Sequence, residues 1–428
     1  MVGFIYNVLL VLTVPAAFVY YAWRVLISEK SRDSWRENLG ALPRLADRPE
    51  GKKLIWLHAV SVGEFVASLP LQEEIRQLMP DVSILITTVT TTGNEMARKS
   101  AKSRDIVSYL PLDYSFCINR AFERVRPDAL VLMEAEIWPN LLEAAKRRGV
   151  PIILANGRIS DRAMQRGQSW QWLMSWAFSN IDHCCMQTET DAKRIRSLGA
   201  RRESVHISGN TKFDQEGSQL PAEAVRALRS DLGLSDDEQV FVAGSTNPGE
   251  EEPLLAAYER MRNGITGLRL IIAPRQIERA EEIRALTQDH GLKCARRSAK
   301  GSSGSDYDVL ILDTFGELAR VYSVGDITFV GGTLIPKGGH SLIQPILQGK
   351  PVFFGPHTFK TRDVAKMAMS AGVGFQVNDA NELADQGKAL LSDADRRAQI
   401  DAACRRLVSE NQGASARCAK LVAAEMES

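Results

Sequence analysis

The chain has 428 residues, enough for two domains that each bury an apolar interior. Lys and Arg number 53 against 52 Asp and Glu, so no overall field draws in nucleic acid, and any charged partner must be met by a local patch. The six cysteines (Cys117, Cys184, Cys185, Cys294, Cys404 and Cys418) form no C-x-x-C pair, which argues against a disulfide framework or a zinc site and suits a reducing compartment.

Met1 to Trp23 contains no charged side chain. About 20 apolar residues span a bilayer core, so 1–27 reads as a membrane anchor helix. Pro15 is tolerable in such a helix, and Tyr20, Tyr21 and Trp23 suit the interface. A cleaved signal peptide would carry basic residues ahead of its apolar run, whereas Arg24, Lys30, Arg32 and Arg36 all follow it. The positive-inside rule then gives a single-pass inner-membrane protein with the rest of the chain on the cytoplasmic face. Trp35 between Arg32 and Arg36 fits either an anionic lipid surface or a solvated amphipathic helix.

The segment 28–214 alternates buried β-rich runs with helical patterns: "KKLIWLHAV", "VSILITTVT", "IVSYLPLD", "ALVLMEAEIW", "VPIILANGRI", "HCCMQTET" and "VHISGN". Continuous apolar runs mean burial on both faces, hence a mostly parallel sheet with ligands at the carboxyl edge of its strands. At the first such edge "HAVSVGE" sets Ser61, Gly63 and Glu64 between a strand and a helix. Glu64 there is either a general base facing a cleft or an acid capping the helix start. Glu134 and Glu136 end another buried run and share one face of an extended segment, suiting sugar hydroxyl or amine contacts. Arg158, Arg162 and Lys212 supply cations for a phosphorylated ligand.

A polar, helix-patterned stretch, 215–238, reads as a linker. The alternation restarts in 239–428 with "QVFVAGST", "LRLIIAPR", "DVLILDT", "DITFVGGT", "KPVFFGP" and "GVGFQV", followed by a charged helical tail from about Ala380. The fold class expected is α/β, two Rossmann-like doubly wound domains facing a cleft. Gly331-Gly332 and the loop Lys337-Gly338-Gly339-His340 before a helix near Ser341 predict a phosphate cradle of backbone amides and a helix start. Arg275 either grips a phosphate or carboxylate or pairs with Glu278 or Glu282. Gly316 marks a sharp turn or close approach, and Glu317 is a ligand contact or a helix-start acid. Two Asp-x-Asp triplets, Asp306 to Asp308 and Asp393 to Asp395, sit away from the expected edge, so no obligatory metal is expected.

Together, "WLHAVSVGE", "TTVTTTGNEMA", "YLPLDYSF", "MEAEIWPN", "NGRISDR", "GNTKFD", "PRQIERAEEI", "DTFGELARVYSVGDITFVGGT" and "QPILQGKPVFFGPH" closely resemble the 3-deoxy-D-manno-octulosonic acid (Kdo) transferases of lipid A biosynthesis, in order, to about residue 360. The resemblance implies a membrane-anchored inverting glycosyltransferase of the GT-B arrangement. It implies CMP-Kdo as donor, a lipid A precursor (lipid IVA) as acceptor, inner-membrane lipids as surroundings, and no cofactor beyond the donor. It carries the catalytic base onto Glu64. It places Lys212, Arg275, Gly316, Glu317, Gly338, Gly339, His340, Ser341 and Gln344 at the donor, and Ser61, Gly63, Glu134, Glu136 and Arg158 on the acceptor side. The chain departs from the pattern where the family reads Asn-Pro-Leu-Glu-Pro and this sequence has Ser341 to Pro345: Gln344 keeps a carbonyl acceptor for ribose hydroxyls but not the charge. Gly157 stands where alanine is common. Another GT-B nucleotide-sugar transferase, or an inactive membrane-tethered binding protein, remains the alternative.

Overall fold

The seven apolar runs of the amino-terminal half become seven parallel strands, because residues on both sides of each run find a buried partner layer. In the computed structural model, residues 2–427 are described except 28, 50, 135, 136, 216–218 and 300–305; the side chains of 15–33 also lie outside the described set. The chain divides into two units, Met1–Glu216 with Asn411–Ser428, and Gly217–Glu410.

In the first unit the strands are β1 (Leu54–His58), β2 (Ser83–Thr88), β3 (Ile106–Tyr109), β4 (Ala129–Met133), β5 (Ile152–Gly157), β6 (His183–Met186) and β7 (Val205–Ile207). They lie in the order β3-β2-β1-β4-β5-β6-β7, every pair parallel. Alternate residues feed two apolar layers, Trp56, Leu130 and Leu132 on one face and Ile55, Leu57 and Val131 on the other. The strand order reverses between β1 and β4, and that switch point is where an open α/β sheet leaves a crevice at its carboxyl edge.

The charged tail expected to complete the second domain does not end there. The last helix, Ala414–Glu427, packs on the helix Val62–Leu78 and buries Cys418, Ala419, Val422 and Met426 in the Ile55 layer of the first unit. Asp214 holds its start by accepting from Gly413 N at 2.6 Å and Ser415 N at 2.7 Å. The domain boundary at 239–428 is corrected accordingly: the sheet face needs cover, and small apolar residues provide it under a polar exterior.

The second unit contains β8 (Gln239–Thr246), β9 (Leu268–Pro274), β10 (Cys294–Arg296), β11 (Val309–Ile311), β12 (Ile327–Val330), β13 (Val352–Phe354) and β14 (Gly374–Gln376) in the parallel order β10-β11-β9-β8-β12-β13-β14. β10 has no counterpart in the sequence reading, because it is a three-residue edge strand with no fully buried position. The stretch 215–238 is not a free linker. It holds the helix Ala222–Asp231, buries Leu228 and Leu232 in this unit, and is braced by Arg229 donating to Ser235 O and Glu238 O, both at 2.6 Å.

The amino-terminal helix, Val2–Ile27, changes the reading of 1–27. Tyr6 OH donates to Asp113 at 3.0 Å, Asn7 Nδ2 to Asn140 at 2.8 Å, and Thr13 lies 3.0 Å from Tyr114 OH. Were Arg24 at the inner face of a bilayer, Tyr6 would stand roughly 27 Å deeper, at 1.5 Å per residue, out of reach of Asp113 in a cytoplasmic domain. Among the described residues no helix is long and apolar enough to cross a membrane. The single-pass anchor thus finds no support among the described residues, whose part of the helix docks along the first unit with Phe4, Val11 and Leu12 left 74%, 63% and 73% exposed. Pro15, Tyr20, Tyr21, Trp23, Arg24, Lys30 and Arg32, on which the anchor also drew, have side chains outside the described set.

Candidate active site

At the carboxyl end of β1 the chain turns through Ser61 into the helix Val62–Leu78, so Glu64 occupies the helix's first turn. Its carboxylate accepts from Val60 N at 2.8 Å and from Ser61 Oγ at 3.3 Å. Those bonds cap the helix, the plainer of the two roles considered for it, and they also fix the half-buried side chain at the strand edge. Ser61 is half-buried and Gly63 exposed, and a Cβ at Gly63 would meet only Ser61 Oγ, at 3.9 Å. His58, one turn earlier, belongs to the core: its Nδ1 lies 3.0 Å from Thr87 O, and full burial lowers its pKa to about 4.

The neighbouring strand ends carry two non-glycine residues in the left-handed region, Glu134 after β4 (φ 58°) and Asn156 in β5 (φ 55°). Such backbone costs on the order of 1–3 kcal/mol and persists only where surroundings enforce it. Here Glu134 N donates to Ala155 O at 2.9 Å, and Asn156 Oδ1 accepts from Thr211 N at 3.1 Å. The second bond brings the turn after β7 over β4 and β5, where Lys212 Nζ meets Glu134 Oε1 at 3.1 Å. Both partners are about 30% exposed, so the pair is an accessible, exchangeable one. Arg158 follows β5, half-buried, and Glu136 lies outside the described residues. Asn156 was missed by the sequence reading although "ANGR" carried a signal, since asparagine tolerates a positive φ better than most residues.

In the second unit the glycine-rich loop is organised by a residue the sequence reading did not single out. Glu250, fully buried, accepts from Asn247 N (3.0 Å), Gly332 N (2.6 Å), Thr333 N (3.0 Å) and Leu334 N (3.0 Å). Gly339 N donates to Gly332 O and His340 N to Gly331 O. Several amides expected to cradle a phosphate are therefore taken by the protein itself, and the helix beyond Ser341 is only the five residues Ile343–Leu347. Gly338 and Gly339 have φ of 95° and 86°, and a Cβ at Gly338 would come within 2.4 Å of the Phe359 ring, so both shape the loop by conformation and close approach.

What remains for an anion is a set of side chains. Desolvation, then the charges of Arg275 and Lys360, lower the pKa of His340 to about 4, so the three groups share one neighbourhood and the imidazole is neutral at pH 7. Asn247 Nδ2, a donor only, lies 3.2 Å from His340 Nε2, which assigns the imidazole proton to Nδ1. Arg275 and Lys360 are exposed, and among the described residues neither has a carboxylate partner; Glu282 pairs with Arg279 instead. Ser341 and Gln344 are half-buried beside His340 in sequence.

Glu317 and the Asp313 loop are differently engaged. Burial acts to raise the pKa of Glu317, but Arg297 and Thr314 outweigh it and leave the carboxylate below its ordinary range. Asp313 behaves likewise through Ser298 and Arg296. Gly316 (φ 90°) is a turn with open space around it. Of the Asp-x-Asp triplets, Asp306 pairs with Lys293 and Asp308 with Arg262.

The family model described as 3-deoxy-D-manno-octulosonic-acid transferase (kdotransferase) matches residues 33–215. The 3-deoxy-D-manno-octulosonic acid transferase of Haemophilus influenzae is 30% identical over 426 residues, 99% of each chain. The enzyme of the same name from Aquifex aeolicus is 32% identical over 80% of this chain and 87% of its own. Among solved structures, a putative UDP-N-acetylglucosamine 2-epimerase from Listeria monocytogenes superposes with a TM-score of 0.61 at 10% identity, covering 88% of this chain and 96% of that one, a likeness of fold alone.

Proposed function

This chain belongs to the 3-deoxy-D-manno-octulosonic acid transferase family and is a glycosyltransferase, and we propose that it moves Kdo from CMP-Kdo to a primary hydroxyl of lipid IVA, the phosphorylated, acylated glucosamine precursor of lipid A, with inversion at the anomeric carbon. The observation that carries this reading is the gathering of Glu64, Glu134 and Arg158 at the carboxyl ends of the adjacent strands β1, β4 and β5, at the sheet's switch point, with Lys212 brought from beyond β7 onto Glu134.

In this reading Glu64, steadied by Val60 N–H and the Ser61 hydroxyl, takes the proton of the acceptor hydroxyl as its oxygen attacks the anomeric carbon from the face opposite the phosphate. The C–O bond to CMP breaks, and charge accumulates on the departing phosphate. Arg275, Lys360 and the Nδ1–H of His340 offset that charge; a neutral imidazole can donate there without bringing a second cation against Arg275. Lys212 exchanges Glu134 for the Kdo carboxylate, and Glu134 turns to a sugar hydroxyl. Gln344 replaces a carboxylate at the ribose with a neutral acceptor. The account uses donor and acceptor alone, with no further cofactor.

Membrane association follows from the docked first helix. Its exposed Phe4, Val8, Val11 and Leu12 lie in the lipid interface, and Trp35, 41% exposed with Arg36 5.4 Å over its ring, adds a second contact. The test is incubation of the full chain with CMP-Kdo and a tetraacylated disaccharide phosphate, followed by mass analysis. One or more Kdo additions from CMP-Kdo, and none of sugar from UDP-linked donors, are expected; transfer from a UDP-sugar instead contradicts the reading.

A further inference from the structure

Between the first helix and the helices Asp161–Ser169 and Gln171–Ser179 lies a groove of about 550 Å³, walled by Leu9, Leu10, Ile137, Ala163, Trp170 and Leu173. That volume falls within the range of about 300–1,000 Å³ usual for small-ligand sites. The catalytic account does not use it. We infer that this groove holds one acyl chain of the acceptor while Arg166 at its rim meets a phosphate of the same molecule. The inference rests on the lipid-acceptor reading above.

Three observations select this occupant. The groove's polar lining is Tyr6, Thr13 and Arg166, and Tyr6 and Thr13 are already engaged with Asp113 and Tyr114, so the interior offers no hydrogen-bonding ladder to a peptide. Those same bonds, with Asn7 to Asn140, fix the wall formed by the first helix, so the cavity is preformed and needs no ordering on binding. Finally, Ile137 and Ala163 lie on the segments that leave β4 and β5, the strands whose ends carry Glu134 and Arg158. A sugar seated on those ends lies at the head of the groove. The outer face of the first helix, exposed at Phe4 and Leu12, offers the chain a continuous apolar path from the lipid interface. Exposed Trp170 and Trp172 stand with their rings 6.2 Å apart at the mouth, amphipathic residues suited to an apolar boundary.

The experiment uses the full chain in detergent micelles with a tetraacylated glucosamine disaccharide phosphate that carries a diazirine on one acyl chain. Irradiation is expected to label peptides within 163–174, and unlabelled acceptor should displace the label while an equal amount of phosphatidylglycerol should not. Labelling elsewhere, or equal displacement by phosphatidylglycerol, overturns the inference, the latter by making the groove a site for bulk lipid. This measurement does not depend on turnover, so failure of CMP-Kdo transfer would be seen separately and would strike the functional reading alone. As a second readout, Ala163→Trp fills the groove from an exposed helix position and should lower the ratio of kcat/KM for acylated over deacylated acceptor by about tenfold or more, the worth of a few buried methylenes. An unchanged ratio contradicts a chain bound in the groove.

Discussion

Replacing Glu250 by Gln puts the organisation of the glycine-rich loop to a quantitative test. Oε1 accepts from the amides of Thr333 and Leu334, Oε2 from those of Asn247 and Gly332. Glutamine keeps one oxygen and turns an NH₂ toward the other two donors, which leaves two buried N–H groups without acceptors. At about 1–3 kcal/mol for each, the variant should lose roughly 2–6 kcal/mol of local stability. Hydrogen exchange resolved to residues 332–334 reads that loss directly, as protection falling at least about thirtyfold, since 1.4 kcal/mol is a factor of ten. Because Asn247, in the turn after β8 and also held by Glu250, meets His340 of this loop, the donor KM should rise in parallel. Wild-type protection and an unchanged KM in Glu250→Gln would refute the idea that one carboxylate holds this loop.

Other outcomes follow from the same geometry. His58, with its pKa lowered to about 4 against an ordinary 6.5, contributes stability that is fully present above pH 6.5 and lost as pH falls toward 4; His58→Phe should remove about 2 kcal/mol of that acid sensitivity, measured by chemical unfolding at pH 7 and pH 4.5. Arg275→Ala should weaken CMP binding about tenfold or more by calorimetry, the worth of a charge-assisted hydrogen bond, and unchanged affinity would remove Arg275 from the donor site. Deleting 411–428 uncovers the Ile55 layer of the first unit and should cost that unit roughly 5 kcal/mol, read as early loss of its transition in calorimetry while that of the second unit persists.

Buried parallel strands announce themselves because both faces are apolar, so thirteen of the fourteen could be read as runs, and the fourteenth, Cys294–Arg296, could not because an edge strand needs no such run. Glu64 was legible from the small residues around it. Glu250 was not, since "PGEEE" looks like a solvated helix start and only the fold shows that its carboxylate points into the loop after β12. The Lys212 to Glu134 pair joins residues 78 positions apart and depends on Asn156 holding Thr211, 55 positions away, and no local pattern encodes those distances. The docking of the first helix was illegible for a different reason: Tyr6, Asn7 and Thr13 are three polar residues in an apolar run, and their partners lie more than 100 positions away.

The most direct test is Glu64→Gln, which keeps the shape of the side chain and an oxygen acceptor but not a base. The account predicts that transfer from CMP-Kdo falls to a few per cent or less of wild type, on the order of the 10²–10⁴-fold worth of a positioned general base, while CMP affinity and the unfolding curve stay close to wild type. Transfer at an undiminished rate by this variant would contradict the assignment of residue 64 as the group that takes the proton.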